Sequence, residues 1–130
     1  MNLAIAVYGA PSSSRAPFSA LRFAKAALAR GHTIARVFFY HEGVAIANSL
    51  VVTPQGEPDI AAQWSELGRE HDIELVACIA AALRRGIVDR AESTRYELAG
   101  QNLREPFLLL GLGQLIEMAA SADRVVTFLE

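Results

Sequence analysis

Cysteine is almost missing from this chain of 130 residues, which holds one, Cys78. A single thiol excludes an internal disulfide, so any covalent chemistry of sulfur runs through Cys78 alone or with another chain. Histidine is also scarce: His32, His41 and His71 are scattered along the chain, and with one cysteine they cannot form a standard Cys/His zinc cluster. There is no basic excess. The formal net charge is -2, which leaves no whole-protein attraction for a phosphate backbone, and direct nucleic-acid binding is not expected. Long apolar runs are missing as well. The opening MNLAIAVYGA has no basic leader and falls well short of the ~20 residues of a membrane span, so it reads as the first strand of a cytoplasmic protein.

What is present is the composition of a folded domain. Hydrophobic residues make up 52% and charged residues 20%, far from a disordered chain. The length suits one core, and no repeat, low-complexity tract or second domain is visible, so residues 1–130 read as a single domain.

The apolar pattern changes period along the chain. Leu3 to Tyr8 is a compact apolar run ending in Gly9-Ala10-Pro11-Ser12-Ser13-Ser14, a buried strand followed by a loop. Phe18, Leu21, Ala24 and Leu28 recur at helical spacing, and Gly31 ends that helix. Thr33 to Tyr40 (TIARVFFY) is β-branched and aromatic, a second strand closed by His41-Glu42-Gly43. Pro54, Gly56 and Pro58 mark a loop, and Asp59 is placed to cap a helix with the stripe Ile60, Trp64 and Leu67. Ile73 to Ala77 follows as a third strand, Ile79 to Arg85 as a short helix, and Ser93 to Gly100 as a further helical piece. A strand around Phe107 to Leu110 is open to either reading. Gly111-Leu112-Gly113 starts a last helix with Leu115, Ile116 and Met118 as its apolar residues, and Arg124 to Leu129 closes the chain as a strand.

Strands that are apolar without alternation and take turns with helices predict an α/β fold of three layers, with a central, mostly parallel sheet flanked by helices. In such sheets reactive groups gather beyond the carboxyl ends of the strands, here after Tyr8, after Tyr40 and at Cys78.

Cys78 opens the stretch CIAAALRRG. If a helix begins at Ile79, the thiol lies at its N-terminal edge, where unpaired N–H groups and the positive dipole end favour thiolate. Free cysteine is equally at home as a small buried hydrophobe, so residue pattern alone leaves packing and reactivity both open. Arg84 and Arg85, about two turns on, are placed to attract an anionic partner rather than to touch the thiol. His41 and Glu42 are sequence neighbours, which rarely face one another; His41 matters only if its loop converges on Cys78. The Gly9 to Ser14 loop lacks the GxxxxGK[ST] spacing of a phosphate cradle and reads as an ordinary connection. Val44 to Val52 carries more apolar surface than a connector normally buries, which points to a subunit interface.

Three stretches go beyond pattern. RVFFYHEGVAIAN (Arg36 to Asn48), CIAAALRRGIVD (Cys78 to Asp89) and GLGQLIEMAASADRVVTF (Gly111 to Phe128) resemble the TusD/DsrE family of sulfur-relay subunits, in order and with similar spacing. The resemblance implies a DsrE-like, flavodoxin-like fold and a persulfide-carrying cysteine at Cys78. It also implies a heterohexamer with two smaller paralogous subunits, TusB-like and TusC-like, a TusA-like sulfur donor and a TusE/DsrC-like acceptor, with no metal or organic cofactor. In the Tus branch the sulfur ends in the 2-thiouridine of tRNA wobble positions; in the DsrE branch the subunit serves dissimilatory sulfur oxidation. A non-catalytic scaffold subunit and, by fold analogy alone, a nucleotide- or flavin-binding module are the competing expectations.

Overall fold

The computed structural model describes residues 1–130. Its sheet contains β1 (Asn2–Val7), β2 (Thr33–Phe39), β3 (Glu74–Cys78), β4 (Leu108–Leu110) and β5 (Arg124–Phe128), in the order β4-β3-β2-β1-β5 with every neighbour parallel. Strands 1 to 4 step in one direction, and β5 returns to the far side of β1. With right-handed crossovers this order places α1 (Ala16–Ala29) and α2 (Ile60–His71) on one face and α5 (Leu112–Ser121) on the other. Two contacts agree. Phe23 of α1 packs against Phe128, which is in register with Phe39 of β2, at 5.7 Å, whereas Arg36, three residues before Phe39 and so on the opposite face, donates to Gln114 Oε1 of α5 at 3.1 Å.

The core explains the apolar strands. Leu3 to Val7, Val37 to Phe39 and Leu75 to Cys78 are all buried, as parallel strands covered on two sides should be. On the α1 face the helix meets the sheet through small residues, Ala20, Ala24 and Ala27, with Leu21, while Phe18 and Leu28 are half-buried at its flanks. Trp64 of α2 is fully buried, packs edge-on against Phe39 at 5.5 Å, and donates its indole N–H to the Pro17 carbonyl at 3.1 Å. The ring thus joins α2 to the start of α1 without leaving its polar atom unbonded.

Local signals place several boundaries. Asp59 caps α2 by accepting from the Ala62 N–H at 3.0 Å. Pro17 falls in the first turn of α1, so that helix starts two residues before Phe18. The helical piece expected over Ser93 to Gly100 is displaced: α4 spans Arg90–Arg95, because Asp89 caps it through the Glu92 N–H at 2.8 Å and Glu97, at φ 52°, ends it. The open reading at Phe107 to Leu110 resolves as β4, an edge strand paired with β3. Of the three apolar residues expected on α5, Met118 is buried and Leu115 packs partly on the core, but Ile116 faces outward.

Between β2 and α2 the chain forms a 3-10 helix, His41–Ala47, whose Val44, Ile46 and Ala47 are buried. The apolar run expected over Val44 to Val52 therefore divides. Its first half belongs to the chain's own core, and Leu50, Val51 and Val52 project from it, Leu50 being 73% and Val52 85% exposed. No helix is long and apolar enough to cross a membrane.

Candidate functional site

Cys78 is the last residue of β3 and the N-cap of α3 (Ile79–Arg84), with its Cα opposite Leu110 of β4. It therefore lies at the carboxyl edge of the sheet, where the topology of an open parallel sheet collects reactive groups. Its side chain bonds to none of the helix's N–H groups, and α3 is six residues long, so its dipole is short. The thiol is 1% exposed. Burial is the feature that residue pattern could not supply: β3 ends inside the core, where the 3-10 helix and α3 pack against it and against each other.

The 3-10 helix reaches this position because Gly43 sits directly against β1. A Cβ at Gly43 would lie 2.5 Å from the Val7 carbonyl oxygen, and the Gly43 N–H donates to the Tyr8 carbonyl at 3.0 Å. Two polar clips then fasten this segment to the helix that Cys78 begins. In the first, Arg85 at the C-cap of α3 donates from Nε and a terminal nitrogen to one Glu42 oxygen, at 3.2 and 2.7 Å, while its other terminal nitrogen donates to the Ala81 carbonyl at 2.9 Å. The hydrogen bond from Arg85, and then its charge, hold the Glu42 carboxyl below the usual carboxylate range; His41 adds a smaller pull in the same direction.

The second clip is Asn102, a buried polar side chain. It donates to Asn48 Oδ1 at 3.1 Å and to the Gly86 carbonyl at 2.9 Å, and it accepts from the Val88 N–H at 2.9 Å. The Ser49 N–H returns to the Asn102 carbonyl at 2.8 Å. One amide thus binds the end of the 3-10 helix to the turn that follows α3, with its donors and acceptor all engaged.

The other expected residues are placed differently. Arg84 is exposed and forms no ion pair, whereas Arg85 is committed to Glu42. His41 takes φ 49°, and its ring stacks on Tyr40 at 4.2 Å and lies 5.3 Å from Tyr8, so the aromatic rings, not the thiol, receive it. The loop after β1 bonds to itself. Ser14 Oγ accepts from the Ala16 N–H at 3.0 Å and the Ser14 N–H donates to Ala10, which uses the groups an open phosphate cradle would present. No cluster of three His, Cys, Asp or Glu side chains is arranged to hold a metal.

Sequence reasoning did not single out Asn102 or the pairing of Glu42 with Arg85. Their partners are 14 to 54 residues away, and no local spacing encodes them.

The sequence profile of the DsrE/DsrF-like family matches residues 1–128. The chain belongs to that family. Among its relatives, a "Sulfurtransferase TusD homolog" of Pseudomonas aeruginosa is 51% identical over 128 residues, covering 98% of this chain and 97% of the relative. A "Sulfurtransferase TusD homolog" of Aliivibrio fischeri is 46% identical over 124 residues, 95% of each chain, and a "Putative sulfurtransferase DsrE" of Allochromatium vinosum is 44% identical over 128 residues, 98% of each. These relatives support a sulfurtransferase. Among solved structures, the ychN protein of E. coli superposes with a TM-score of 0.75 at 23% identity, over 98% of this chain and 99% of that one, which places the fold with the DsrE-like proteins.

Proposed function

We propose that this sulfurtransferase works in a sulfur relay, as a subunit that carries sulfane sulfur on Cys78. The observation that carries the reading is the position of the chain's one thiol at the strand-to-helix junction on the carboxyl edge of the sheet, in a chain whose close relatives are named sulfurtransferases. The Cys78 thiolate attacks the outer sulfur of a donor persulfide. The new S–S bond forms on Cys78 as the donor's S–S bond breaks, and the donor leaves as a thiolate. An acceptor thiolate then attacks the outer sulfur in its turn, and Cys78 returns to thiolate. Each step exchanges one S–S bond for another, so no outside oxidant, metal or organic cofactor takes part.

A thiol 1% exposed meets a donor only after its cover moves. The movement this reading requires is of the 3-10 helix relative to α3, the two segments joined by Glu42–Arg85 and Asn48–Asn102. The donor of this reading is a TusA-like carrier and the acceptor a TusE/DsrC-like protein. The assembly is a heterohexamer in the cytoplasm with TusB-like and TusC-like paralogues, for which the exposed Leu50 and Val52 offer a ready apolar contact. The end product is the 2-thiouridine of tRNA. TusD-named relatives at 51% and 46%, against 44% for the DsrE-named one, favour this branch over sulfur oxidation.

The test is intact-mass measurement after incubation with a persulfidated carrier. A gain of one sulfur, lost in Cys78→Ser, is expected; a gain that persists in Cys78→Ser would sink the reading. Burial of the thiol is the observation that favours the scaffold alternative. That alternative predicts undiminished tRNA thiolation in cells carrying Cys78→Ser, whereas the relay reading predicts its loss.

A further inference from the structure

A concavity lies between the loop after β1, the 3-10 helix and the start of α2, and Cys78 is not among its walls. Its volume is about 370 Å³, within the range of small-ligand sites. Apolar side chains, Phe18, Ile46 and Val51 among them, form much of the lining. Three charged residues also line it: Arg104, Glu57 and Asp59.

Arg104 is the unusual member. Its backbone is fixed, the N–H donating to the Ala47 carbonyl at 2.7 Å, but its guanidinium forms no ion pair and its Nε is shielded from water with no acceptor. Part of the cation has therefore lost hydration with nothing in return, a state that favours an anion on its remaining donors. Asp59 is half engaged, one oxygen capping α2, and Glu57 has no ion pair. Neither carboxylate forms an ion pair with the guanidinium, so the lining carries unpaired charges of both signs.

A simple anion would suit Arg104 but meet two carboxylates; a simple cation would suit those and meet Arg104. A molecule with both charges on an apolar body satisfies the whole lining. From this we infer that the cleft is a binding site for an apolar α-amino acid zwitterion, its carboxylate on Arg104, its ammonium toward Glu57 and Asp59, and its side chain against Phe18, Ile46 and Val51. The inference goes beyond the sulfur reading and does not depend on Cys78.

The probe is L-leucine, titrated into the full chain and followed by backbone amide NMR. Saturable shifts confined to the cleft are expected, with a roughly millimolar Kd for so small a ligand. The analogue without the ammonium, 4-methylpentanoate, and the one without the carboxylate, 3-methylbutylamine, should each bind about tenfold or more weakly. Arg104→Gln should weaken leucine by a similar factor. Val51→Phe, at a half-exposed position that tolerates added bulk, should block the cleft while the rest of the spectrum stays unchanged. No saturable shifts up to roughly 10 mM leucine, equal binding of either analogue, or binding unaffected by both variants would overturn the assignment.

Discussion

Arg85 and Glu42, 43 residues apart in sequence, meet at 2.7 Å and join the end of α3 to the start of the 3-10 helix. The pair is at the surface, and its meaning is positional: it fastens the two segments that pack against β3, at whose end Cys78 is buried.

Because Arg85 lowers the Glu42 pKa, the carboxyl is more acidic folded than unfolded. Its contribution to stability is therefore fully present above the ordinary carboxylate pKa and is lost as pH falls through the lower folded value. Thermal unfolding of wild type and Glu42→Gln across the acid range should show curves that differ most near neutrality and converge toward low pH. Added salt should narrow the difference, as for any exposed ion pair. Curves that stay parallel down to low pH would rule out a role for this pair.

Asn102 is the stronger clip because it is buried and fully bonded. Asn102→Ala leaves the Val88 N–H, the Gly86 carbonyl and Asn48 Oδ1 without this partner. A single buried group left unsatisfied costs about 1–3 kcal/mol, so the urea midpoint should fall clearly with the slope unchanged. Asn102→Asp keeps the acceptor for Val88 but turns a carboxylate toward two acceptors, and it should also destabilise. A midpoint within error of wild type for both variants would show that water takes over the amide's bonds.

Burial of the thiol predicts its reactivity. If alkylation of Cys78 passes through a local opening costing about 3 kcal/mol, it runs roughly 100-fold slower than in the unfolded chain. Asn102→Ala should speed the labelling more than its global destabilisation explains, since it frees the segment over the thiol. This is measured by mass spectrometry of alkylation in native buffer and in urea. Native labelling as fast as in urea would mean that the thiol is open in solution.

The parallel α/β fold was legible because its signals are local: unbroken apolar strands, the Asp59 cap, and a helical stripe at Ile60, Trp64 and Leu67. The displaced α4 shows the limit. Residues 93 to 100 read as a helical piece, but the Asp89 cap and the left-handed backbone at Glu97 set the actual ends. Cys78 could be placed at the strand-to-helix junction from sequence, because a change of period marks it. Its burial and its two clips could not, because they depend on where Gly43, Asn48 and Asn102 meet after the chain has folded. The division of the run Val44 to Val52 was hidden for the same reason: composition does not separate residues that enter the core from those that leave it.

Gly43 has a requirement that a conservative change should expose. Its φ is not in the left-handed region; the constraint is space, with the Val7 carbonyl oxygen 2.5 Å from where a Cβ would be. Backbone cannot give way as a side-chain tip can, so Gly43→Ala should cost about 1–3 kcal/mol, the usual range for overpacking. The control is Gly56→Ala, where a Cβ meets nothing within 4 Å and only the left-handed φ of 89° opposes it. Chemical denaturation should separate the two. If Gly43→Ala also labels faster at Cys78 than Gly56→Ala does at matched stability, the seat of the 3-10 helix on β1 controls access to the thiol. Equal labelling would confine Gly43 to packing.

The exposed end of the Val44 to Val52 run gives the last test, of the proposed assembly. Leu50 is 73% and Val52 85% exposed, so replacing both with serine removes almost no buried apolar area from the free chain. The double variant should unfold within about 0.5 kcal/mol of wild type, as surface changes usually do. A partner that covers the two side chains loses their burial, worth up to about 1.5–3 kcal/mol for each side chain fully covered. Co-expression with the paralogues followed by affinity purification should then recover less of the complex from the Leu50→Ser/Val52→Ser variant, with the free chain's stability unchanged. Equal recovery would move the contact to another exposed apolar surface, such as that around Leu112 and Ile116 of α5.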